Sequence, residues 1–116
     1  MVYYINSAIN TRELNDRLRV HGSDPEIGRV TLSARVMSLQ PDKFFELLDK
    51  VREYDDFSKD DPYNEHDFGS IDIDGETYVW KIDYYDTMYD GGVDHSQVNN
   101  SHKCKRLMTI MHGSEY

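Results

Sequence analysis

A chain of 116 residues with a formal net charge of −9 and one cysteine is long enough to bury a core without cross-links, and Cys104 has no partner for an internal disulfide. Thirteen Lys and Arg against 22 Asp and Glu weigh against direct nucleic-acid binding, which needs clustered cations. No apolar run is long enough to cross a bilayer, and MVYYINSAINTRE lacks the basic-then-apolar order of a signal peptide, so the expectation is one cytoplasmic domain over residues 1–116, off the membrane.

The elements follow in chain order. Asn10-Thr11-Arg12-Glu13 has capping-box spacing and predicts a helix that starts at Asn10. Ala8, Thr11, Leu14 and Leu18 share its inner side, and Arg12, Asp16, Arg17 and Arg19 its wet side. Gly22, Pro25 and Gly28 mark a loop. Arg29–Leu39 alternates, with Val30, Leu32, Ala34 and Val36 on one face, which predicts a half-buried strand. Pro41 and Asp42 suit a helix start, and Phe44, Phe45, Leu47, Leu48 and Val51 form an apolar stripe running to about Tyr54.

The clearest local signal follows the acidic loop DDFSKDDPYNEHD at 55–67. Asp74-Gly75 stands between two alternating runs, the signature of a two-residue hairpin. With that turn, Asp72 faces Thr77 and Ile71 faces Tyr78. Ile71, Ile73, Tyr78, Trp80, Ile82 and Tyr84 then share a core face, and Asp72, Thr77, Val79, Lys81, Asp83 and Tyr85 a polar one. Residues 86–102 read as a loop. Arg106–Met111 is a nearly continuous apolar run, expected as a strand buried on both faces. The order helix, strand, helix, strand, strand, strand predicts an α+β fold in which two helices pack an antiparallel sheet of about four strands.

Charge is unevenly spread. Between Asp49 and Asp90 there are 14 acids and four bases, against eight acids and nine bases elsewhere. The segment Asp60–Asp86 is therefore the candidate functional segment, and its complement is the basic surface of a protein; solubility alone also accounts for an acidic loop. Extending the hairpin pairing backwards sets His66 opposite Asp83, flanked by Glu65 and Asp67, with Asp86 just beyond. Such a group suits an acid/base pair, an oxygen-rich Mg²⁺ or Mn²⁺ site, or a polar cluster that pins the loop. No strict metal-ligand spacing is present, and no motif calls for a cofactor. Tyr63, Tyr85 and Tyr89 stand among acids and fit either a protein interface or the rim of the core. Cys104, in HKCKR, has no partner motif for nucleophilic chemistry.

Three blocks carry a resemblance: Asp61-Pro62-Tyr63-Asn64-Glu65-His66-Asp67-Phe68-Gly69, Trp80-Lys81-Ile82-Asp83-Tyr84-Tyr85-Asp86, and Leu107–Met111 closing on Glu115-Tyr116. Together with Leu14–Arg19 they resemble a bacterial domain family of unknown function, number 3768. That resemblance implies a setting in proteobacterial genomes, including plasmids and prophages. Asn64 stands where the family usually has Gly; a Gly there is free to adopt positive φ, and Asn is the next most tolerant residue, so the resemblance implies a turn that Asn64 can keep. The setting in turn implies an inhibitor of a host nucleic-acid-binding defence protein, of the anti-CRISPR or anti-restriction kind that imitates the charge of DNA. Its partner surface would be a basic nucleic-acid channel, met by Asp55, Asp56, Asp60, Asp61, Glu65, Asp72 and Asp90 with Tyr63, Tyr85 and Tyr89. The alternatives are an enzyme using Glu65, His66, Asp67, Asp83 and Asp86, and an interaction module without chemistry.

Overall fold

The Asp74-Gly75 turn folds as the alternation requires. It joins β2 (Phe68–Ile73) to β3 (Glu76–Tyr85), antiparallel, with Asp72 opposite Thr77 and Phe68 opposite Lys81. Asp74 and Gly75 both take positive φ, 52° and 80°, the signature of the turn whose twist matches a hairpin. The computed structural model describes residues 3–57, 61–62, 64–100 and 102–116; of residues 3–9 and His95 only the backbone is described. Asp60 and Tyr63 lie outside the described residues.

The described elements are α1 (Tyr3–His21), β1 (Gly28–Leu32), α2 (Ala34–Met37), α3 (Pro41–Arg52), β2, β3 and β4 (Lys105–His112), with short 3₁₀ turns at His95–Gln97 and Gly113–Glu115. The fold is α+β, with a four-stranded sheet in the order β1-β4-β3-β2. β3 runs antiparallel to β2 and β4, but β1 is parallel to β4. The sheet is thus mixed rather than purely antiparallel, because the α2–α3 connection carries the chain over the sheet before β2 begins. β4 is an inner strand, as its apolar run implies.

Three local expectations are corrected. α1 starts at Tyr3, so Asn10 is an exposed residue inside the helix rather than its cap; neither Pro nor Gly interrupts residues 3–10, and the Asn-x-x-Glu spacing also arises within helices. Gly22, at φ 88°, ends α1 by donating its N–H to the Leu18 carbonyl at 2.9 Å. The strand expected over Arg29–Leu39 stops at Leu32. Ser33 Oγ accepts from the Val36 N–H at 3.3 Å and caps α2, so Val36 reaches the core from a helical turn. Phe45 is 60% exposed, about 100° around α3 from the half-buried Phe44 that packs on the core.

The core lies between one sheet face and the helices. Leu18, Val36, Leu47 and Val51 meet Ile71, Ile73, Tyr78, Trp80, Ile82, Met108 and Ile110. Burying a side chain of this size contributes roughly 1.5–3 kcal/mol. On the opposite sheet face Val79 and its register partner Met111 are buried as well, near the C-terminal 3₁₀ turn that packs on β3. Ser33 Oγ–H donates to Glu115 Oε1 at 2.7 Å, and the same oxygen accepts the His112 N–H at 2.8 Å. Those donors hold the Glu115 carboxyl below its ordinary range.

Two glycines set how closely elements approach. A Cβ at Gly28 would lie 2.1 Å from the Arg106 carbonyl oxygen of β4, and one at Gly69 would lie 2.4 Å from Trp80 Nε1 and 2.6 Å from Tyr54 Cζ. Gly28→Ala and Gly69→Ala are each expected to destabilise the fold by about 1–3 kcal/mol or more, Gly28→Ala the more severely because the obstacle is backbone. Urea unfolding checks this; a loss below about 0.5 kcal/mol, the range of a neutral surface change, is the contrary result.

Candidate functional site: the acidic loops and the groove beside them

The loop that leads into β2 is built around Asp61. Its side chain is only 3% exposed, and Oδ1 accepts two backbone N–H groups, from Glu65 at 2.9 Å and His66 at 3.0 Å. Asn64 and His66 both take positive φ, 58° and 56°, which costs a residue with a Cβ about 1–3 kcal/mol unless its surroundings hold it there. For His66 they do: Nδ1 lies 2.9 Å from Asp16 Oδ1 of α1, Nε2 lies 3.7 Å from Asp61 Oδ2, and the ring stacks on Phe57 at 3.6 Å.

This geometry overturns the pairing of His66 with Asp83. The ladder reaches back only to Asp67, whose carbonyl accepts the Ile82 N–H at 2.8 Å. There the backbone turns left-handed and swings His66 to the helix side. Asp83 instead takes Lys81 Nζ at 2.6 Å.

Asp16 also binds Arg19 Nη2, at 3.0 Å. Arg19, expected on the wet face of α1, is buried. Its Nη1 donates to the carbonyls of Val51, Arg52 and Tyr54 at 3.3, 3.3 and 3.0 Å, closing the C-terminal end of α3, where a cation is favoured. Its guanidinium lies 5.3 Å from the Phe57 ring centroid and 5.4 Å from that of Trp80. His66, Asp16 and Arg19 thus form one contiguous brace between the acidic loop, α1 and α3.

Behind the loop is a buried polar network that the sequence did not announce. Asn15 donates from Nδ2 to the Glu65 carbonyl at 2.9 Å and to Tyr84 Oη at 2.8 Å. Its Oδ1 accepts Arg106 Nε at 2.5 Å. Arg106, fully buried in β4, also donates to the Val98 carbonyl, and its guanidinium lies 5.2 Å from the Tyr84 ring. Burial lowers the Arg106 pKa from its ordinary value and, for the same reason, raises those of Tyr84 and Cys104. Arg at the head of an apolar run was the one available signal. It reads equally as a strand-end residue, which is how it escapes notice.

The second acidic loop follows β3. Asp86 Oδ1 accepts the N–H groups of Met88 and Asp90, each at 3.0 Å, and the Asp86 N–H donates to Gly91 at 2.8 Å. Asp86 is therefore the acceptor that closes a tight loop, far along β3 from the hairpin turn. Within that loop Tyr89 takes φ 57°. Its ring lies 4.1 Å from the Arg29 guanidinium and 6.4 Å from the Tyr85 ring. Burial pushes the Tyr89 hydroxyl up, against the pull of Arg29. Met88 stands out 80% exposed.

The central carboxylates thus divide. Asp61, Glu65, Asp67, Asp83 and Asp86 are buried or half-buried; Asp49, Glu53, Asp55, Asp56, Asp72, Asp74, Glu76 and Asp90 are exposed. Glu65 is 5% exposed and lies inside the loop, not on the outward acidic surface. Among the described residues no three His, Cys, Asp or Glu side chains converge on a position that would hold a metal ion. Asp67 and Asp83 do share a groove of about 600 Å³ with Pro62, Phe68, Lys81 and Tyr116. There burial raises the Asp67 carboxyl pKa, helped by the Asp61 and Asp83 charges.

The profile of the family described as Protein of unknown function (DUF3768) matches residues 32–115. The chain belongs to this family. No curated protein and no solved structure matches it. The DUF3768 match takes in the Asp61–Asp67 loop, the hairpin, the Asp86 loop and β4, and leaves out α1. Yet α1 supplies Asn15, Asp16 and Arg19, which brace the matched part. Asn64, inside the matched span, takes positive φ, a conformation that Asn tolerates better than most residues with a Cβ.

Asp61→Ala removes the acceptor of two backbone donors, and is expected to cost about 1–3 kcal/mol. It should also speed hydrogen exchange at the Glu65 and His66 amides, measured by NMR. Unchanged exchange at those two amides would contradict the capping role.

Proposed function

We propose that this DUF3768 protein is an acidic binding module that occupies the basic nucleic-acid-binding surface of another protein, as an anti-CRISPR or anti-restriction inhibitor of a host defence complex does. The observation that carries this reading is the division of the central carboxylates. Five are held within loops or the groove, and eight face outward on a segment where acids outnumber bases 14 to four. Asp55 and Asp56 follow α3, Asp72 lies beside the hairpin turn, and Asp90 lies past the far end of β3.

Magnitudes limit what such a surface does. Ten residues of β3 span roughly 33 Å, a length of duplex DNA that carries about 19 charges. Eight outward carboxylates match only part of that, and several are already paired: Asp74 with Lys43 at 2.9 Å, Asp49 with Arg52 at 3.6 Å. The module therefore competes for one cluster of partner Arg and Lys, and does not replace a whole duplex. Tyr85 and Tyr89, the latter held against Arg29, add the aromatic contacts that binding surfaces favour. The acid/base reading of Glu65, His66, Asp67, Asp83 and Asp86 has weaker support, since His66 is committed to Asp16 and Asp61.

Asp61 serves the fold, so the test spares it. The immobilised protein is offered the nucleic-acid-binding fraction of a defence-competent bacterial host. Capture is expected to be competed by duplex DNA and to weaken by at least tenfold between about 50 and 200 mM salt, as counterion-driven contacts do. Asp55→Lys, Asp56→Lys, Asp72→Lys and Asp90→Lys combined should abolish it while leaving the circular dichroism spectrum unchanged. Equal capture by that folded variant, or capture indifferent to DNA and salt, sinks the reading.

A further inference from the structure

We propose that the groove between the Asp61–Asp67 loop and β3 receives an arginine side chain of a protein partner, with Asp67 as the carboxylate that takes its guanidinium. This rests on the reading of the protein as a module for basic surfaces, and names a place on it for a single cation. The groove, about 600 Å³, is lined by Pro62, Asp67, Phe68, Lys81, Asp83 and Tyr116. The Phe68 and Tyr116 rings that line it stand 5.4 Å apart at 49°, and aromatic rings favour a flat cation.

Its charges are unequally committed. Asp83 is paired with Lys81 at 2.6 Å, so that pair is internally neutral. Asp67 makes no ion pair among the described residues. The titratable groups that act on it are Asp61 and His66 of its own loop and Asp83 of β3. His66 turns its ring to Asp16 and Asp61, and Lys81 is held by Asp83. Half-buried beside two carboxylates, Asp67 ionises only at a cost to the fold, and its raised pKa expresses that cost. A guanidinium offsets it with paired charge-assisted hydrogen bonds. An anion would meet Asp67 and Asp83 with no free cation among the described residues of the groove, and a neutral apolar group would leave Asp67 unrelieved.

The sign of the pH effect follows. A carboxyl whose folded pKa lies above its unfolded value destabilises the fold above the folded pKa, and that cost disappears as pH falls below the unfolded one. Asp67→Asn is therefore expected to raise the melting temperature at pH 7, with the gain shrinking as the solution is acidified. A variant less stable than the parent at pH 7 would mark Asp67 as structural and overturn the proposal.

Binding is read by amide NMR, titrating the folded protein with N-acetyl-arginine amide and, separately, with its neutral citrulline counterpart. The expected result is saturable shifts at Phe68, Gly69, Lys81 and Asp83 with the arginine probe, at least fivefold weaker with citrulline and absent in Asp67→Asn. The shifts should persist in the four-Lys variant at Asp55, Asp56, Asp72 and Asp90, so the groove and the wider acidic surface fail or succeed separately. Absence of saturable shifts, shifts spread over exposed acids, or equal shifts in Asp67→Asn would overturn the proposal.

Discussion

A buried guanidinium has to be met by oxygen on several sides, and in this protein that requirement organises the acidic loop. Arg106 in β4 is held by the side-chain oxygen of Asn15 from α1 and by the Val98 carbonyl. Asn15 then spends both its amide hydrogens, on Tyr84 of β3 and on the Glu65 carbonyl. One amide side chain thus ties helix, sheet and loop together. Removing a partner from such a network leaves the others unpaired in a low dielectric, where the loss is far larger than that of an exposed contact.

The same economy explains why the residues that look most catalytic are largely internal. Asp61 and Asp86 each give one carboxylate oxygen to two backbone N–H groups. His66 fills a left-handed turn and is held there by Asp16, Asp61 and Phe57. These are devices that let short acidic loops hold a fixed shape, and the charge left over faces outward. Asp67 is the exception, a carboxylate kept in a groove beside like charges.

Legibility followed the range of the interactions. The hairpin, its register and its core face were readable because Asp-Gly constrains only its neighbours and alternation reports burial of one face. The inner position of β4 was readable from its apolar run. Arg19 and Asn15 were not. A polar side chain is buried only where distant backbone or side-chain groups satisfy it, and Asn15 is 91 residues from Arg106. The exposed Phe45 and the parallel β1–β4 pairing belong with these, since both depend on how elements stack rather than on local pattern.

The sequence by itself determined the hairpin, the α+β order and the concentration of acid between Asp49 and Asp90. Each depends on local sterics, periodicity or composition. Only the tertiary structure decided which carboxylates face outward, that His66 turns to Asp16 instead of Asp83, and that Asp67 shares a groove with Phe68 and Tyr116. Those outcomes depend on where α1, the loop and the chain's last residues come together, and a polar group's environment is set by that meeting rather than by its neighbours in sequence.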